Sequence, residues 1–257
     1  MAFSLANENN TGESTANPKT GTIDTGASGT NTQLIVVYVI TNLSRSGLDA
    51  APTLGGDSMS QAGTVESTTP TGEGAIEMWY LIDTFTSDGR SLAISVPNNS
   101  SRTMSLLASS WILPAGKVAV FDDDNQASSD LGSTNPTVIV NFGLAPSIVI
   151  SGLFTGASNV SGLTAGRVLL GKYDTGNEGQ AHQYILNTKD NSNVSMNWVF
   201  STSDDWATIG GSFREIAGGG GGGDLVSMDT VAFADMVLVN SSSISNITSI
   251  NGVLTGN

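Results

Sequence analysis

The chain has 257 residues, of which 39% are hydrophobic and 12% are charged, and its net charge is −14 with nine lysines and arginines. So few basic residues make nucleic acid and anionic membranes poor partners, and we expect neither. The absence of cysteine excludes disulfides and thiolate metal sites. The first residues lack the basic and apolar regions of a secretory signal, and the longest apolar run has only seven residues. We therefore expect a soluble protein made in a cytoplasm.

Short apolar and β-branched segments recur along the chain and predict strands. The first, LIVVYVI at 34–40, is continuously apolar, as expected of a strand buried on both faces. Ten more segments follow, at 76–83, 91–96, 104–113, 117–121, 137–142, 147–154, 167–173, 182–186, 194–200 and 206–216. Clusters of Gly, Asn, Asp, Ser and Pro separate them as turns. Strands without intervening helices predict an all-β protein with the architecture of an antiparallel sandwich or barrel.

The polar N-terminal region holds two further candidate strands, FSLAN at 3–7 and GTIDTG at 21–26. Edge strands tolerate polar residues because only one face packs, so we expect both at sheet edges. The strand pattern ends near Ile216, which predicts a β-sandwich domain over residues 1–216. A run of six glycines then predicts a flexible linker over residues 217–223, with a typical span of about 13 Å.

The tail, residues 224–257, is too short for a core of its own and yet is apolar. Apolar residues cluster between Val231 and Val239, and four more then recur every three residues. A period of three fits neither an α-helix nor a strand, and suits a 3₁₀-like or polyproline-like path or a strand-and-turn repeat. The tail must pack on its own sandwich, on copies of itself or on another protein. We expect it to bind a partner through Val231, Phe233, Val237, Ile244, Ile247, Ile250 and Val253.

The order of these segments resembles a β-sandwich module of bacteriophage virion structural proteins. The resemblance runs from FSLANEN at 3–9 through EMWYLID at 77–83 to VSMNWVF at 194–200 and closes at Ile216. The segment ITSINGV at 247–253 is similar to I-x-x-I-N-G-V units near the ends of phage structural proteins. The resemblance implies a jelly-roll-like fold, a location in the virion and a C-terminal anchoring tail, and it brings no catalytic residues with it.

A pair of carboxylates close together could be catalytic, and Glu77 and Asp83 are the first candidates for such a pair. Glu77 and Asp83 share one face of a strand but lie about 20 Å apart, whereas a glycosidase needs roughly 5–10 Å. We expect both to be polar residues on a solvent-facing surface around a half-buried Trp79. The acidic run FDDDNQ at 121–126 has enough oxygen ligands for Ca²⁺ but lacks the D-x-D-x-D-G spacing, so we expect a solvated turn.

The remaining candidate residues are also expected to be structural. Asp204 and Asp205 should lie in another solvated turn. His182 is the sole histidine, so neither a zinc site nor a Ser-His-Asp triad is expected, and it should be a strand residue with ordinary hydrogen bonds. The tryptophans could stack sugars, but they lie in apolar segments, so core packing is expected for most of them: Trp79, Trp111, Trp198 and Trp206. We expect no metal and no cofactor.

These observations predict a non-enzymatic virion structural protein that decorates the capsid or forms part of a fibre or tail. Its expected partners are other virion proteins and its own copies, as a homotrimer, and it would be made in the host cytoplasm. The alternative is a carbohydrate-binding or receptor-binding module in which loops and a surface tryptophan engage a glycan. A glycan hydrolase is a third and weaker hypothesis.

Overall fold

The computed structural model of the protein describes residues 3–25, 32–42, 48, 50–67, 74–84, 91–99, 102–142, 146–156, 160–163, 165–174, 179–187, 192–217, 249–250 and 253–254. The chain divides into two compact units, Met1–Gly218 and Gly219–Asn257. All regular structure in the described ranges is β-strand, and no helix in them is long and apolar enough to cross a membrane.

The first unit contains strands β1 Ser4–Ser14, β2 Lys19–Asp24, β3 Thr32–Asn42, β4 Thr53–Leu54, β5 Asp57–Ser58, β6 Ser60–Ser67, β7 Gly74–Thr84, β8 Ser91–Val96, β9 Thr103–Ile112, β10 Lys117–Ser133, β11 Thr137–Phe142, β12 Ser147–Thr155, β13 Val160–Leu163, β14 Val168–Asp174, β15 Gly179–Asn187, β16 Ser192–Phe200 and β17 Asp204–Ala217. The second unit contains β18 Ser249–Ile250 and β19 Val253–Leu254, which form an antiparallel pair.

The first unit is a stack of four antiparallel sheets. Two five-stranded sheets, with strand orders β1-β9-β3-β7-β6 and β10-β17-β12-β15-β14, face each other in the centre. A four-stranded sheet, β2-β8-β4-β5, covers the outer face of the first central sheet. A three-stranded sheet, β11-β16-β13, covers the outer face of the second. The expected all-β antiparallel sandwich is therefore confirmed, with four layers in place of two.

Strand β3 shows why an unbroken apolar run was needed at this position. All residues from Leu34 to Ile40 are at most 1% exposed, which confirms burial on both faces. Successive side chains of a strand point to opposite faces. Leu34, Val36 and Tyr38 accordingly enter the core between the central sheets, while the residues between them enter the core beneath the four-stranded sheet.

The two polar N-terminal segments are edge strands, as predicted. Strand β1 is the first strand of its central sheet, and β2 is the first strand of the four-stranded sheet. The side chains of β1 are mostly half-buried or exposed, whereas every residue of β9, its neighbour, is buried except the first and last. Because β1 pairs only with β9 among the described strands and its side chains are not fully buried, it can carry several asparagines.

The strand order of β1–β9 recurs in β10–β17. The two central sheets have equivalent strands in the same order. Strands β1, β9, β3, β7 and β6 of the first correspond in turn to β10, β17, β12, β15 and β14 of the second. In the outer sheets, β2, β8 and β4 correspond in the same way to β11, β16 and β13. Each set has the two-sheet, double Greek-key order of a jelly roll. The first unit is therefore two jelly-roll halves in tandem, residues 4–112 (the first half) and 117–217 (the second half), packed through their central sheets.

Irregularities in strand pairing recur at matching positions of the two halves. Where β1 pairs with β9 the register shifts at Ala6, and where β10 pairs with β17 it shifts at Asp122. Strands β6 and β14 each have a register shift immediately before a glycine, Gly63 and Gly171. Since such bulges are positioned features of a fold, they align the halves residue by residue. Met78, the partner of Gly63, then corresponds to His182, the partner of Gly171.

Two side-chain hydrogen bonds are also repeated where the chain crosses from a central to an outer sheet. Asn9 Nδ2 donates to the Thr22 carbonyl at 2.7 Å, and Asn125 Nδ2 donates to the Ile139 carbonyl at 2.7 Å. Residues at these four positions correspond under the alignment of the halves. Each bond satisfies a strand carbonyl that the ladder would otherwise leave to solvent.

The second repeated bond uses a buried serine of β9 and its equivalent on β17. Ser110 Oγ donates to the Asp24 carbonyl at 2.6 Å, and Ser212 Oγ donates to the Asn141 carbonyl at 2.9 Å. Both serines are 0% exposed. The halves therefore share the contacts that close each jelly roll as well as its strand order.

We expect Ser110→Ala and Ser212→Ala each to destabilise the protein by at least about 1 kcal/mol, because each removes the donor to a strand carbonyl, and Ser212 also accepts a bond from the Asp123 N–H at 3.1 Å. That loss lowers the melting temperature by about 2–4 °C. The double variant should show the sum, since the serines lie in different halves. Thermal melts followed by circular dichroism measure the effect, with the exposed Ser91→Ala as control. A double variant that melts like the control would contradict this role.

Candidate functional site

The interface between the halves contains a buried polar cluster on one side. Ser105 Oγ of β9 donates to Gln180 Oε1 of β15. Next on the same face of β15 is His182, which is 0% exposed, and neither of its ring nitrogens has a hydrogen-bond partner among the described residues. Sequence reasoning placed His182 correctly in a strand, but the expectation of ordinary hydrogen bonds was wrong. The residues paired with it in the two adjacent strands are glycines, which have no side chain to offer a hydrogen bond.

Glycines flank His182 in both adjacent strands. It pairs with Gly152 of β12 and with Gly171 of β14. The space above each glycine is taken by the first half: a Cβ on Gly152 would lie 2.5 Å from the Tyr38 ring, and one on Gly171 would lie 2.3 Å from Asn10 Nδ2. The Tyr38 ring meets the imidazole edge to face, with centroids 6.4 Å apart.

Burial lowers the pKa of His182 to about 3, so the imidazole is neutral at physiological pH. Ser105, Gln180 and His182 are all closed to solvent. This cluster therefore has no access to a substrate in this structure. If His182 were protonated at low pH, its charge would lie inside the interface, where an unpaired charge is costly.

The equivalent positions on the other side of the interface are apolar. Met78 stands where the second half has His182, Ile76 where it has Gln180, and Ala207 where the first half has Ser105. Met78 and Ile76 both belong to the central core. The polar cluster is thus a difference between two otherwise matching halves, which marks it as a feature the fold does not need.

The acidic run at 121–126 lies inside strand β10, so the predicted solvated turn was wrong. Asp122 occupies the bulge, where its Oδ1 lies 3.8 Å from Arg214 Nε. Burial, and then the neighbouring Asp123, raise the pKa of Asp124. A strand tolerates this run because β10 is an edge strand and the bulge re-aims its side chains. In the described part of the chain, no group of three or more metal-ligating side chains gathers here or elsewhere.

Two other acidic predictions also need correction. Asp204 and Asp205 begin β17 and do not form a turn, and Thr155 Oγ1 donates to Asp204 Oδ2. Glu77 is only 2% exposed, because the four-stranded sheet covers the face of β7 that alternation suggested was open to solvent. Its Oε2 accepts bonds from Trp79 Nε1 at 3.1 Å and Gln61 Nε2 at 3.0 Å. Asp83, at the end of the same strand, is exposed as expected.

All four tryptophans are buried, which confirms the expectation of core packing. Trp111 and Trp198 are 0% exposed, and Trp79 and Trp206 are 8% exposed. The carbohydrate-binding alternative expected a surface tryptophan, and none of the four lies on the surface. Glycan binding by loops stays a prediction.

The predicted partner-binding residues belong to the second unit. Val231, Phe233, Val237, Ile244 and Ile247 lie outside the described residues. Ile250 and Val253 lie on β18 and β19, directly paired with each other in the antiparallel register. Partner binding through this set stays a prediction.

Exposed apolar side chains reveal a surface that sequence reasoning missed. Among the described residues the large exposed hydrophobic side chains are Leu5, Ile139, Val168, Leu169, Leu186 and Ile216. Five of these six belong to the second half. The first half has polar residues at three equivalent positions, namely Thr22, Ser60 and Gln61, all exposed. The sequence signal was present in RVLLGKY at 167–173, but the pattern alone could not tell an exposed edge from a buried strand.

Half of these six side chains lie on or beside strand β14, which is the last strand of its sheet. Val168 and Leu169 are 47% and 41% exposed, and they point to opposite faces of the strand. Leu186, 37% exposed, lies on the adjoining strand β15. Arg167 precedes Val168, and the exposed Lys172 lies further along β14. We call these five residues the β14 edge surface.

Comparison with known proteins gave no match: no protein-family model, no curated protein and no solved structure is similar to this chain.

Proposed function

We propose that this protein is a non-enzymatic structural component of a bacteriophage virion, decorating the capsid or contributing to a fibre or tail, with its C-terminal tail as the anchor. The observation that carries the proposal is the organisation of the chain. A closed stack of four sheets ends at Ala217, six glycines follow, and a separate unit with an apolar sequence comes last. The resemblance of the strand segments to phage virion modules agrees with this organisation.

The character of the first unit supports a structural role. Three hydrophobic layers separate the four sheets, and every tryptophan lies inside them. Such a stack is a rigid body with little internal space for chemistry. Its many Ser, Thr, Asn and Gly residues and its small share of charged residues suit a polar exterior, while the apolar tail needs a surface to cover it. The proposed partners are other virion proteins and sister copies, with a homotrimer as the assembly.

The tail variant Ile247→Asp with Ile250→Asp tests the proposal. We expect it to reduce incorporation into purified particles at least tenfold, because two charges cannot be buried at an apolar contact. The melting temperature of the β-sandwich should not change. Thr248→Asp with Ser249→Asp is the matched control, since it places the same charges between those positions. Copy number per particle is measured by quantitative mass spectrometry, and normal incorporation of the isoleucine variant would overturn the anchoring role.

A further inference from the structure

We propose that the edge of strand β14 binds residues 231–239 of a second copy of this chain as an added β-strand. This inference rests on the proposed function and deepens it, because it names the surface that receives the anchoring tail. The receiving surface is the β14 edge surface of Arg167, Val168, Leu169, Lys172 and Leu186.

The backbone of β14 is open to a partner strand. Its one ladder is with β15, and no described strand pairs with its other side. An unpaired edge presents a row of N–H and C=O groups that an extended segment can complete. Charged or polar side chains normally protect such an edge, but Val168 and Leu169 leave this one apolar on both faces.

The duplicated fold provides an internal reference for this edge. Strand β6 is its counterpart in the first half, and it carries exposed Ser60 and Gln61 where β14 carries Val168 and Leu169. Both strands have the same bulge followed by glycine, so the fold accepts polar residues at these positions. The apolar pair is therefore not a packing requirement of the jelly roll, and its exposure marks a contact surface.

The chemistry of residues 231–239, VAFADMVLV, complements this surface. Alternation would place Val231, Phe233, Val237 and Val239 on one face around Asp235, and alanine, methionine and leucine on the other, so one face is wholly apolar and the other is apolar except for one aspartate. Asp235 is its one charge, and residues 224–257 contain three aspartates and no lysine or arginine. The receiving edge carries the exposed Lys172, which has no ion-pair partner among the described residues, and the half-buried Arg167, whose guanidinium donates to the carbonyls of Ala165 and Ser195.

Among the described strands, β14 is the one edge with two adjacent exposed hydrophobic side chains, and each chain has one such tail. A head-to-tail contact of this kind forms a closed ring when its rotation closes, and a homotrimer is a ring of three. The tail of a second copy is the occupant that fits the proposed homotrimer and the proposed anchoring function of the tail.

The test uses the full-length chain and compares the two edges. Val168→Asp with Leu169→Asp should convert the assembly to a monomer in light scattering coupled to gel filtration. Val168→Asp alone and Ser60→Asp, its equivalent on β6, form the matched pair: the first should weaken assembly and the second should leave it intact, with the bond from Gln61 to the buried Glu77 kept. Hydrogen exchange of the amides at 168–174 should slow at least tenfold in the wild type as protein concentration rises through assembly. The slowing should disappear in Phe233→Asp.

Three results would overturn the inference. The first is assembly of the β14 variant at wild-type concentrations. The second is protection of residues 168–174 that does not depend on concentration, because that would place the chain's own tail on the edge. The third is normal incorporation of the β14 variant into particles that reject Phe233→Asp, which would leave the proposed anchoring function standing. If the aspartate variant fails to fold, Val168→Ser with Leu169→Gln, copied from β6, replaces it with the same expected results.

Discussion

Gly152→Val is expected to lower the melting temperature by about 6–12 °C. Gly152 lies in the centre of the second central sheet, and a Cβ there would sit 2.5 Å from Cδ1 of Tyr38. The tyrosine is 0% exposed and packed between the halves, so it cannot move aside. Overpacking at such a site costs about 3 kcal/mol or more. For a domain of this size that cost gives the expected fall in melting temperature.

Gly162→Val is the matched control, because the atom nearest to a Cβ there is Cβ of Val199 at 3.9 Å. It should melt within about 2 °C of the wild type. Adding Tyr38→Leu to Gly152→Val should recover part of the loss, since the smaller side chain leaves room for the valine. Equal melting temperatures for the two valine variants would show that the halves do not pack as described.

His182→Met is expected to remove an acid-dependent loss of stability from the wild type. A histidine has a pKa near 6.5 in the unfolded chain, and burial lowers it to about 3 in the folded protein. Between these values the unfolded state binds more protons, so stability is complete above pH 6.5 and decreases as pH falls towards 3. At pH 4 the loss amounts to about 3 kcal/mol, or about 6–12 °C in melting temperature.

Methionine is the replacement that the molecule itself suggests, because Met78 occupies the equivalent position in the first half. The variant should be at least as stable as the wild type at pH 7, since two unpartnered nitrogens are removed. Glu8 and Asp124 have raised pKa values, which favour folding at low pH, but they are present in both proteins and cancel in the comparison. The reciprocal Met78→His should introduce acid sensitivity. Melting temperatures of wild type and His182→Met that fall in parallel from pH 7 to 4 would contradict this account.

The strands and their edges could be predicted because strand signals are local. Continuous apolar character over 34–40 indicated burial on both faces, and the polar segments near the N-terminus indicated edge strands. Both were confirmed, since each depends on residues one or two positions apart. The acidic run at 121–126 was wrongly predicted as a turn because composition cannot show that β17 pairs along its whole length.

The internal duplication was not visible in the sequence. Equivalent strands β7 and β15 share the short motifs YLID at 80–83 and YILN at 184–187, and this is the clearest trace of it. A jelly roll needs alternation, bulges and turns at set positions, and different apolar residues satisfy those needs equally well. The repeat therefore persists in register and hydrogen bonding, where Ser110 and Ser212 make the same contact, while the residue identities have diverged.

Composition and local periodicity were enough to establish an all-β chain of antiparallel strands, a linker of glycines and an apolar tail. The tertiary structure alone decided that each central sheet is covered on both faces, and so that Glu77 is buried and Asp83 is not. It also decided that His182 lies unpartnered between two glycines and that Val168 and Leu169 lie at an open edge. The physical reason is the sequence distance over which each feature is determined. The alternation of a strand depends on residues two positions apart. What covers each face, and what pairs with each edge, depends on strands distant in the sequence.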